Sequence, residues 1–419
     1  MLGKLLKSLL VDRTPVIDRF EHTLADGCAA YQQLDFMLAS RLLADADALR
    51  ALDADRLSML GTSQLYSGRL EAAAATLQRV LVLQPGHVEA RKMLAMKTFL
   101  SGRLREAFVQ YEACRDDYIM QTPEQRLSRE WLLYVLKATR GIPLWQGEPL
   151  TGKRILLWSE YGHGDAIMHL RFLPFLRDPL GASEIAFLSV PAEQCLFEAL
   201  GEQRFFASRV DWVAPEGAFD YHASIISLPY WFKVDLDSVP AEVPYLRVPA
   251  EKAQPWTERL AGVTELKVGL SWAGNPDMPL DPLRSVPIEA LAPLFAVTGV
   301  LFFSLQKDRR SRDALVQHAL PVVDLMDHVG DFMDTAGLMQ HLDLVISVDT
   351  ALAHLAGATG RPVWVLNRFE SEWRWMRNRE DSPWYPTLRL FNQTEPRNWT
   401  PVIRQLADAL QRHALDTGH

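Results

Sequence analysis

The stretch "DLVISVDTALAHLAGATGRPVWVL", residues 343–366, decides the fold of the C-terminal part of this chain. An apolar run ends at Asp349, small residues with helical spacing follow, and Gly360 and Pro362 precede a second apolar run. Two apolar strands joined through a helix are typical of a parallel sheet covered on both faces. Ligands of such sheets bind beyond the carboxyl ends of the strands. Asp349 and Thr350 are therefore candidate binding residues.

The same alternation of short apolar runs and helical patterns begins near residue 151. The apolar runs are "RILLW", "EIAFLSV", "YHASIISLP", "KVGLSWAG", "GVLFFSLQ", "LDLVISVD" and "PVWVL". A proline-punctuated segment, 238–255, separates the first three runs from the rest and is predicted to be a linker. We therefore predict an α/β region of two Rossmann-like domains, residues 151–250 and 260–419, that face a cleft.

The first third of the chain repeats itself and is predicted to be helical. Gly68-Arg69-Leu70 recurs as Gly102-Arg103-Leu104, and Ala73 recurs as Ala107, both at an offset of 34 residues. This period is that of the tetratricopeptide repeat, a pair of antiparallel helices. We predict a helical repeat domain over residues 1–140, in which the segments before 55 and after 113 are degenerate or capping repeats. Two roles stay open, a concave surface for a polypeptide partner and a purely structural collar.

Charge and composition exclude several classes of protein. The net charge of −8 and the pI near 5.8 argue against a general nucleic-acid binder, which needs a basic face. The three cysteines include no C-x-x-C pair, which fits a reducing cytoplasm. No apolar run is long enough for a transmembrane helix. The N-terminal "MLGKLLKSLL" is predicted to be a helix that caps its neighbours or rests on a membrane surface. The oligomeric state is open, and a homo-oligomer is compatible with the sequence.

In the first Rossmann-like domain, the strand "RILLW" leads into "SEYGHGDA". Gly162 and Gly164 allow a tight turn, but Ile167 stands where a dinucleotide fingerprint needs its third glycine. Asp165 follows at the start of a helix and is a candidate general base. The alternative is that Asp165 is only a helix N-cap. His163, in the same loop, is a lesser candidate for the base and a tentative part of an acceptor pocket.

In the second domain, polar residues follow three strands, and they are the candidate residues for binding a phosphate-bearing ligand. They are Asn275 and Arg284 after the first strand, Gln306 and Lys307 after the second, and Asp349, Thr350, Ala351, Leu352 and His354 after the third. Thr350 and the free N–H groups of Ala351 and Leu352 open a helix, where backbone donors and the helix dipole favour phosphate. Arg284 and Lys307 add positive charge. These residues predict a small anionic ligand, while His354 is equally well explained as a packed core residue.

The segment "EWRWMRNREDSPWYP", residues 372–386, concentrates aromatic side chains among arginines. Trp373 and Trp375 are tentative candidates for a stacking wall of an acceptor or base pocket. Packing between domains is the alternative, and the sequence favours it.

At these residues the chain resembles a known family. Residues 143–419 resemble bacterial tetratricopeptide-repeat glycosyltransferases of the GT-B fold, which are relatives of heptosyltransferases and, more distantly, of peptide O-linked N-acetylglucosamine transferases. The resemblance rests on "GKRILLWSEYGHGDA", "WAGNP", "DPLRS", "FFSLQKD", "ISVDTALAHLAGATGRPVWVL" and "WRWMRNREDSPWYPTLRLFNQ", which occur in order. It implies that the D-T-A-x-A-H segment supports the donor diphosphate and that Asp165 is the base. Met278 departs from the polar residue that relatives carry after N-P.

The resemblance implies an inverting glycosyltransferase that uses a nucleotide-sugar donor and needs no metal or other cofactor. We expect a protein acceptor, such as flagellin or a surface adhesin, selected by the helical repeats. Two alternatives stay open. One is a heptosyltransferase-like enzyme that modifies lipopolysaccharide or another glycan, and the other is a non-catalytic repeat scaffold that retains the fold.

Overall fold

The structure is a computed structural model that describes residues 14–122, 126–160, 162–201, 204–207 and 212–418. The predicted amphipathic helix at the N-terminus lies outside these residues. The chain divides into two compact units. The first contains the chain up to residue 124 together with Phe369–Met376, and the second contains 125–368 and 377–419. The predicted boundaries at 140, 151–250 and 260–419 stay predictions.

The first unit is built from helices that pair in sequence order. They are α1 (Thr14–Gln32), α2 (Phe36–Leu49), α3 (Ala54–Tyr66), α4 (Leu70–Leu83), α5 (Val88–Leu100), α6 (Leu104–Glu112) and α7 (Arg115–Gln121). The starts of α3 and α5 are 34 residues apart, as are those of α4 and α6. The start of α2 precedes that of α4 by the same 34 residues. A third helix pair therefore shares the period of the two that the sequence reveals.

Small residues let the helices of each pair approach closely. A Cβ on Gly61 would lie 2.7 Å from the side chain of Leu77, and one on Gly27 would lie 3.0 Å from Leu43. The two contacts are again offset by one repeat, a signal that the sequence analysis missed in the first pair. Gly68 has a φ of 80°, a left-handed conformation that favours glycine in the turn between α3 and α4.

The second unit begins with a helix and a parallel sheet. The helices are α8 (Arg126–Ala138), α9 (His163–His169), α10 (Leu173–Arg177), α11 (Gln194–Glu198) and α12 (Leu228–Trp231). The strands are β1 (Arg154–Trp158), β2 (Glu184–Ser189), β3 (Phe205–Ala207) and β4 (Tyr221–Ser224), in the order β3-β2-β1-β4. All of these strands pair in parallel. The strand order reverses between β1 and β4, so the switch point of this sheet lies beyond their carboxyl ends.

A larger parallel sheet follows, and its order is β10-β9-β8-β5-β6-β7. Its strands are β5 (Leu266–Ser271), β6 (Val300–Ser304), β7 (Val322–Asp324), β8 (Leu344–Val348), β9 (Val363–Asn367) and β10 (Leu388–Asn392). The surrounding helices are α13 (Ala250–Arg259), α14 (Asp281–Arg284), α15 (Arg309–Gln317), α16 (Phe332–Met339), α17 (Ala351–Ala358) and α18 (Thr400–Asp416). The order reverses between β5 and β8, which places a second switch point beside Thr350.

Short 3₁₀ helices complete the second unit. They are Leu170–Phe172, Pro191–Glu193, Ile225–Ser227, Leu236–Ser238, Ile288–Leu291, Leu294–Ala296 and Met326–His328. The predicted linker 238–255 is partly wrong, because its last residues form the start of α13 despite Pro255 inside that helix. The predicted fold class is confirmed, since helical repeats precede two Rossmann-like parallel sheets.

Candidate functional site

The candidate base lies where β1 passes into α9. Asp165 is the third residue of α9 and is partly buried, and its N–H donates to the carbonyl of Gly162 at 3.0 Å. Gly162, not Asp165, holds the N-cap position. Asp165 therefore stands in the first turn of the helix, at the switch point of the smaller sheet.

His163 forms a pair that the sequence analysis missed. Its Nδ1 lies 2.8 Å from Oε1 of Glu193, whose side chain is only 3% exposed. The Ser189 hydroxyl at the end of β2 donates to the other oxygen of Glu193. The His163 ring meets Phe332, at the start of α16, edge to face with centroids 5.1 Å apart. Glu193 was detectable as an acidic residue shortly after a strand, but only the fold brings it to His163.

The candidate phosphate-binding helix is α17, which Thr350 caps. The Thr350 hydroxyl accepts a hydrogen bond from the N–H of Leu352 at 3.3 Å. The expectation that this amide is unbonded is therefore wrong, because the side chain of the N-cap already uses it. The Thr350 hydroxyl also lies 3.2 Å from that of Ser347. The helix start is thus held rigidly at the end of β8.

Arg284 links the two central strands at the switch point of the larger sheet. Its Nη1 donates to the carbonyl of Asp349 at 3.1 Å, and its Nε donates to Asp281 at 2.8 Å. The guanidinium passes over Gly274, where a Cβ would overlap it. Arg284 is therefore fixed beside the helix start that Thr350 caps, as the sequence predicts.

The other candidate donor-binding residues differ in exposure. Gln306 is 5% exposed, and its amide oxygen accepts from the Ser271 hydroxyl at 2.7 Å and from the N–H of Ala273 at 3.3 Å. Its side chain supports the end of β5 and does not present its amide to a ligand, so its expected direct contact is corrected. Lys307 is exposed and donates to the carbonyl of Gly330 at 2.6 Å. Asn275 is exposed in the loop after β5, where it accepts from the N–H of Asp277 at 3.0 Å.

His354 is buried and not open to a ligand. It is 3% exposed, and its Nδ1 lies 2.9 Å from the hydroxyl of Tyr385. Burial, together with the positive charge of Arg171, lowers the pKa of His354 to about 4, although Asp349 acts in the opposite direction. His169, on α9, is fully buried, and burial lowers its pKa to about 3. Both imidazoles are therefore neutral at physiological pH.

Trp373 and Trp375 belong to the helical unit. The ring of Trp373 packs against Phe99 of α5 with centroids 4.6 Å apart and a tilt of 34°, and it meets Phe108 of α6 edge to face at 5.9 Å. Trp375 is fully buried. Neither ring offers an open face for stacking, so the tentative assignment to an acceptor or base wall is corrected in favour of packing.

A known protein family matches the part of the chain that contains β6 to β9 of the larger sheet. The profile of glycosyltransferase family 9 (heptosyltransferase) matches residues 296–380, which run from before β6 to beyond β9 and include Lys307, Thr350 and His354. This chain is related to the family 9 glycosyltransferases. The resemblance that the sequence analysis describes is thereby confirmed.

Individual proteins are also similar to this chain. The chain is 28% identical over 382 residues to protein FlbA of Caulobacter vibrioides, which covers 84% of this chain and 60% of FlbA. The chain thus spans about three fifths of the length of that relative. A glycosyl transferase family 9 structure from Veillonella parvula is 13% identical, with 65% of this chain and 100% of that chain covered and a TM-score of 0.45. E. coli ADP-heptose lps heptosyltransferase II is also 13% identical, with 64% and 100% covered and a TM-score of 0.44.

Two further observations concern partners. Among the described residues, no group of three histidine, cysteine, aspartate or glutamate side chains is placed to hold a metal ion. That transfer needs no metal stays a prediction. None of the helices in the described ranges is both long and apolar enough to span a bilayer. The cytoplasmic location likewise stays a prediction.

Proposed function

We propose that this chain is a metal-independent, inverting glycosyltransferase that moves a sugar from a nucleotide-sugar donor to a protein acceptor. The observation that carries the proposal is the crossing of two helix starts. Helix α9, with Asp165 in its first turn, packs on α17, which Thr350 caps, and a Cβ on Gly164 would lie only 2.8 Å from His354. A carboxylate and a helix start suited to phosphate thus lie at the junction of the two sheets.

The donor diphosphate is proposed to bind at the start of α17. Backbone donors and the helix dipole favour negative charge there. Arg284, held beside Asp349, supplies a guanidinium that neutralises charge on the departing diphosphate. Lys307 and Asn275 are exposed at neighbouring strand ends and are proposed as peripheral contacts. The relation to family 9, whose members use nucleotide-sugar donors, supports this assignment.

The transfer step is proposed to be a direct displacement. The carboxylate of Asp165 takes the proton of an acceptor hydroxyl, and the acceptor oxygen forms a bond to the anomeric carbon. The bond from that carbon to the diphosphate breaks, and the diphosphate leaves with the electron pair. A general base of this kind contributes about 10²–10⁴-fold. The configuration at the anomeric carbon is inverted, because the acceptor attacks opposite the leaving group.

The protein acceptor, such as flagellin or a surface adhesin, is proposed to bind the inner face of the helical repeats. Tyr31, Tyr66 and Glu89 lie on α1, α3 and α5, the first helices of the three pairs. Burial raises the pKa of Tyr31, and the nearby groups of Glu89 and Tyr66 raise it further. The rings of Tyr31 and Tyr66 both contact Phe36, with centroids 5.7 and 4.7 Å apart, so these two side chains lie close together. Repeat faces of this type bind extended or helical polypeptide through many modest contacts.

A second candidate is a heptosyltransferase-like enzyme that modifies lipopolysaccharide or another glycan. The match to glycosyltransferase family 9 (heptosyltransferase) favours it. In that case the repeats would serve assembly and not acceptor choice. The two candidates share the donor site and differ in the acceptor.

The experiment is transfer of labelled sugar from a panel of nucleotide sugars to separate protein and glycolipid fractions. We expect label in protein, and we expect Asp165→Asn to reduce it at least about a hundredfold, because the base is lost. The matched control is Asp178→Asn, an exposed aspartate of the same half, which should transfer normally. Label in glycolipid alone would favour the second candidate. Normal transfer by Asp165→Asn would leave Asp165 as a helix residue only.

A further inference from the structure

The crossing of α9 and α17 is closed by a ring of buried contacts that the proposed chemistry does not use. The ring begins at Gly164, whose missing side chain leaves room for the imidazole of His354. The His354 Nδ1 lies 2.9 Å from the Tyr385 hydroxyl. Gly357, the last residue but one of α17, leaves room for the Tyr385 ring, which a Cβ there would overlap. Tyr385 is thus inserted against α17 without any exposed surface.

The ring returns to α9 through a second tyrosine. The hydroxyl of Tyr245 lies 3.3 Å from that of Tyr385 and donates to the carbonyl of Ile167 at 3.0 Å. Ile167 is in α9, two residues after Asp165. The contacts therefore run from α9 to α17, then to Tyr385 between β9 and β10, then to Tyr245 before α13, and back to α9.

One assignment of protons satisfies every contact in the ring. The Nδ1–H of His354 donates to Tyr385, the Tyr385 hydroxyl donates to Tyr245, and the Tyr245 hydroxyl donates to Ile167. Tyr245 has a second lone pair, which accepts from Nη2 of Arg171 at 3.2 Å. All donors thus point in one direction. Loss of the Tyr385 hydroxyl would leave the buried Nδ1–H of His354 without its acceptor, and Tyr245 would lose its link to α17 while it keeps its bonds to Ile167 and Arg171.

Arg171 fixes the same junction from a third side. Arg171 is 3% exposed, and its guanidinium lies 4.6 Å from the centre of the Tyr385 ring. It donates to the carbonyl of Trp384 at 2.6 Å and to that of Pro240 at 3.2 Å. Arg171 therefore fixes the backbone next to Tyr385 and the backbone at Pro240. This leaves little freedom for α9 to slide along α17.

We propose that Tyr385 is a positioning residue that sets the separation between the Asp165 loop and the donor-binding start of α17. This inference rests on the proposed function, since it needs Asp165 and the start of α17 to act on the same reaction. Tyr385 touches neither donor nor acceptor in this scheme. It acts through His354 on one helix and through Tyr245 on the other. Since a displacement of about 1 Å at a reacting group can cost about a hundredfold in rate, a small shift suffices.

The test is Tyr385→Phe, which keeps the aromatic ring and its packing and removes only the hydroxyl. We expect kcat for transfer to fall at least tenfold, while the dissociation constant of the nucleoside diphosphate changes less than twofold. The ratio of donor hydrolysis to transfer should rise, because water competes better with a misaligned acceptor. Tyr245→Phe should give the same pattern. The double variant should lose little more transfer activity than either single variant, because both substitutions interrupt the same ring of contacts. The matched control is Tyr230→Phe, a partly exposed tyrosine of the same unit that should behave as wild type.

The outcomes separate this inference from the proposed function. An unchanged kcat in Tyr385→Phe with only a lowered melting temperature would make the ring purely structural and overturn the inference. Weaker nucleotide binding with unchanged kcat would also overturn it, since the hydroxyl would then support the donor helix alone. Normal transfer by Asp165→Asn would instead remove the proposed function, whatever Tyr385→Phe does. If Tyr385→Phe does not fold, Tyr245→Phe decides, because it interrupts the ring from the less buried end.

Discussion

Replacement of Gly164 by alanine tests the close crossing of α9 and α17. The added Cβ would lie 2.8 Å from Cδ2 of His354, whereas ordinary contact begins at 3.4 Å. The helices must therefore separate by about 0.6 Å, the difference between these two distances. The imidazole cannot swing aside, because it is 3% exposed and its Nδ1 lies 2.9 Å from Tyr385. Overpacking of this kind costs roughly 1–3 kcal/mol.

The matched control is Gly162→Ala in the same loop. The nearest atom to its added Cβ is an oxygen of Asp165 at 3.9 Å, and its φ of −115° suits alanine. Both variants lower the conformational entropy of the unfolded chain alike, by about 0.4–1 kcal/mol. The difference between them is a lower estimate of the overpacking at His354, because Gly162 holds the N-cap of α9, where alanine is less favourable than glycine. We expect Gly164→Ala to be less stable than Gly162→Ala by about 1–3 kcal/mol.

The assay is urea unfolding followed by tryptophan fluorescence, with transfer and nucleotide binding measured on the folded proteins. Gly164→Ala should also transfer more slowly, with nucleotide affinity retained, because the shift falls between the two helix starts. Equal stabilities for the two variants would refute the reasoning, since the crossing would then have room for a methyl group.

Two further predictions follow from burial and from the shared face of the repeats. The pKa values of His169 and His354, about 3 and about 4, lie below the ordinary histidine value, so the unfolded chain binds more protons than the folded one between about pH 6.5 and 4. Stability should therefore be greatest above about pH 6.5 and fall on acidification, by on the order of 3–5 kcal/mol per imidazole. Urea midpoints across this range should fall less steeply for His169→Gln than for wild type, while exposed His22→Gln should match wild type; equal slopes for all three would contradict the assignment. On the inner face of the repeats, Glu89→Lys should reduce protein labelling severalfold and leave donor hydrolysis unchanged. Glu106→Lys, on an exposed part of α6, should leave both activities unchanged. Unaltered labelling in Glu89→Lys would show that the acceptor does not bind this face.

The sequence predicts those features that depend on local pattern. Apolar runs separated by helical segments predict the parallel sheets, because a strand buried on both faces needs apolar residues throughout. The 34-residue offset predicts the helix pairs, because glycine and alanine recur where helices turn and touch. The edge strands β3 and β7 escape the analysis, since three residues carry too little periodicity.

The position of a candidate residue was predictable where a strand end determines it, as at Thr350 after β8. It was not predictable where distant segments meet. Tyr385 and Tyr245 are separated by 140 residues and carry no motif, so only the fold reveals that they touch. Gln306 follows a strand as a ligand contact would, yet its amide is used by neighbouring backbone and hydroxyl groups. The sequence does not distinguish a glutamine that binds a ligand from one that supports a strand end.

The account depends most on the donor site beside Arg284, and calorimetric titration with nucleoside diphosphates tests it most directly. We expect at least one of ADP, GDP, UDP and CDP to bind the wild-type chain. Arg284→Ala should weaken that binding about tenfold or more, because a hydrogen bond to a charged group contributes about 1.5–3 kcal/mol. Arg309→Ala, which removes a guanidinium with a 95% exposed side chain from the same half, should bind as wild type. No binding by any nucleotide, or equal affinity in Arg284→Ala and wild type, would contradict the central claim.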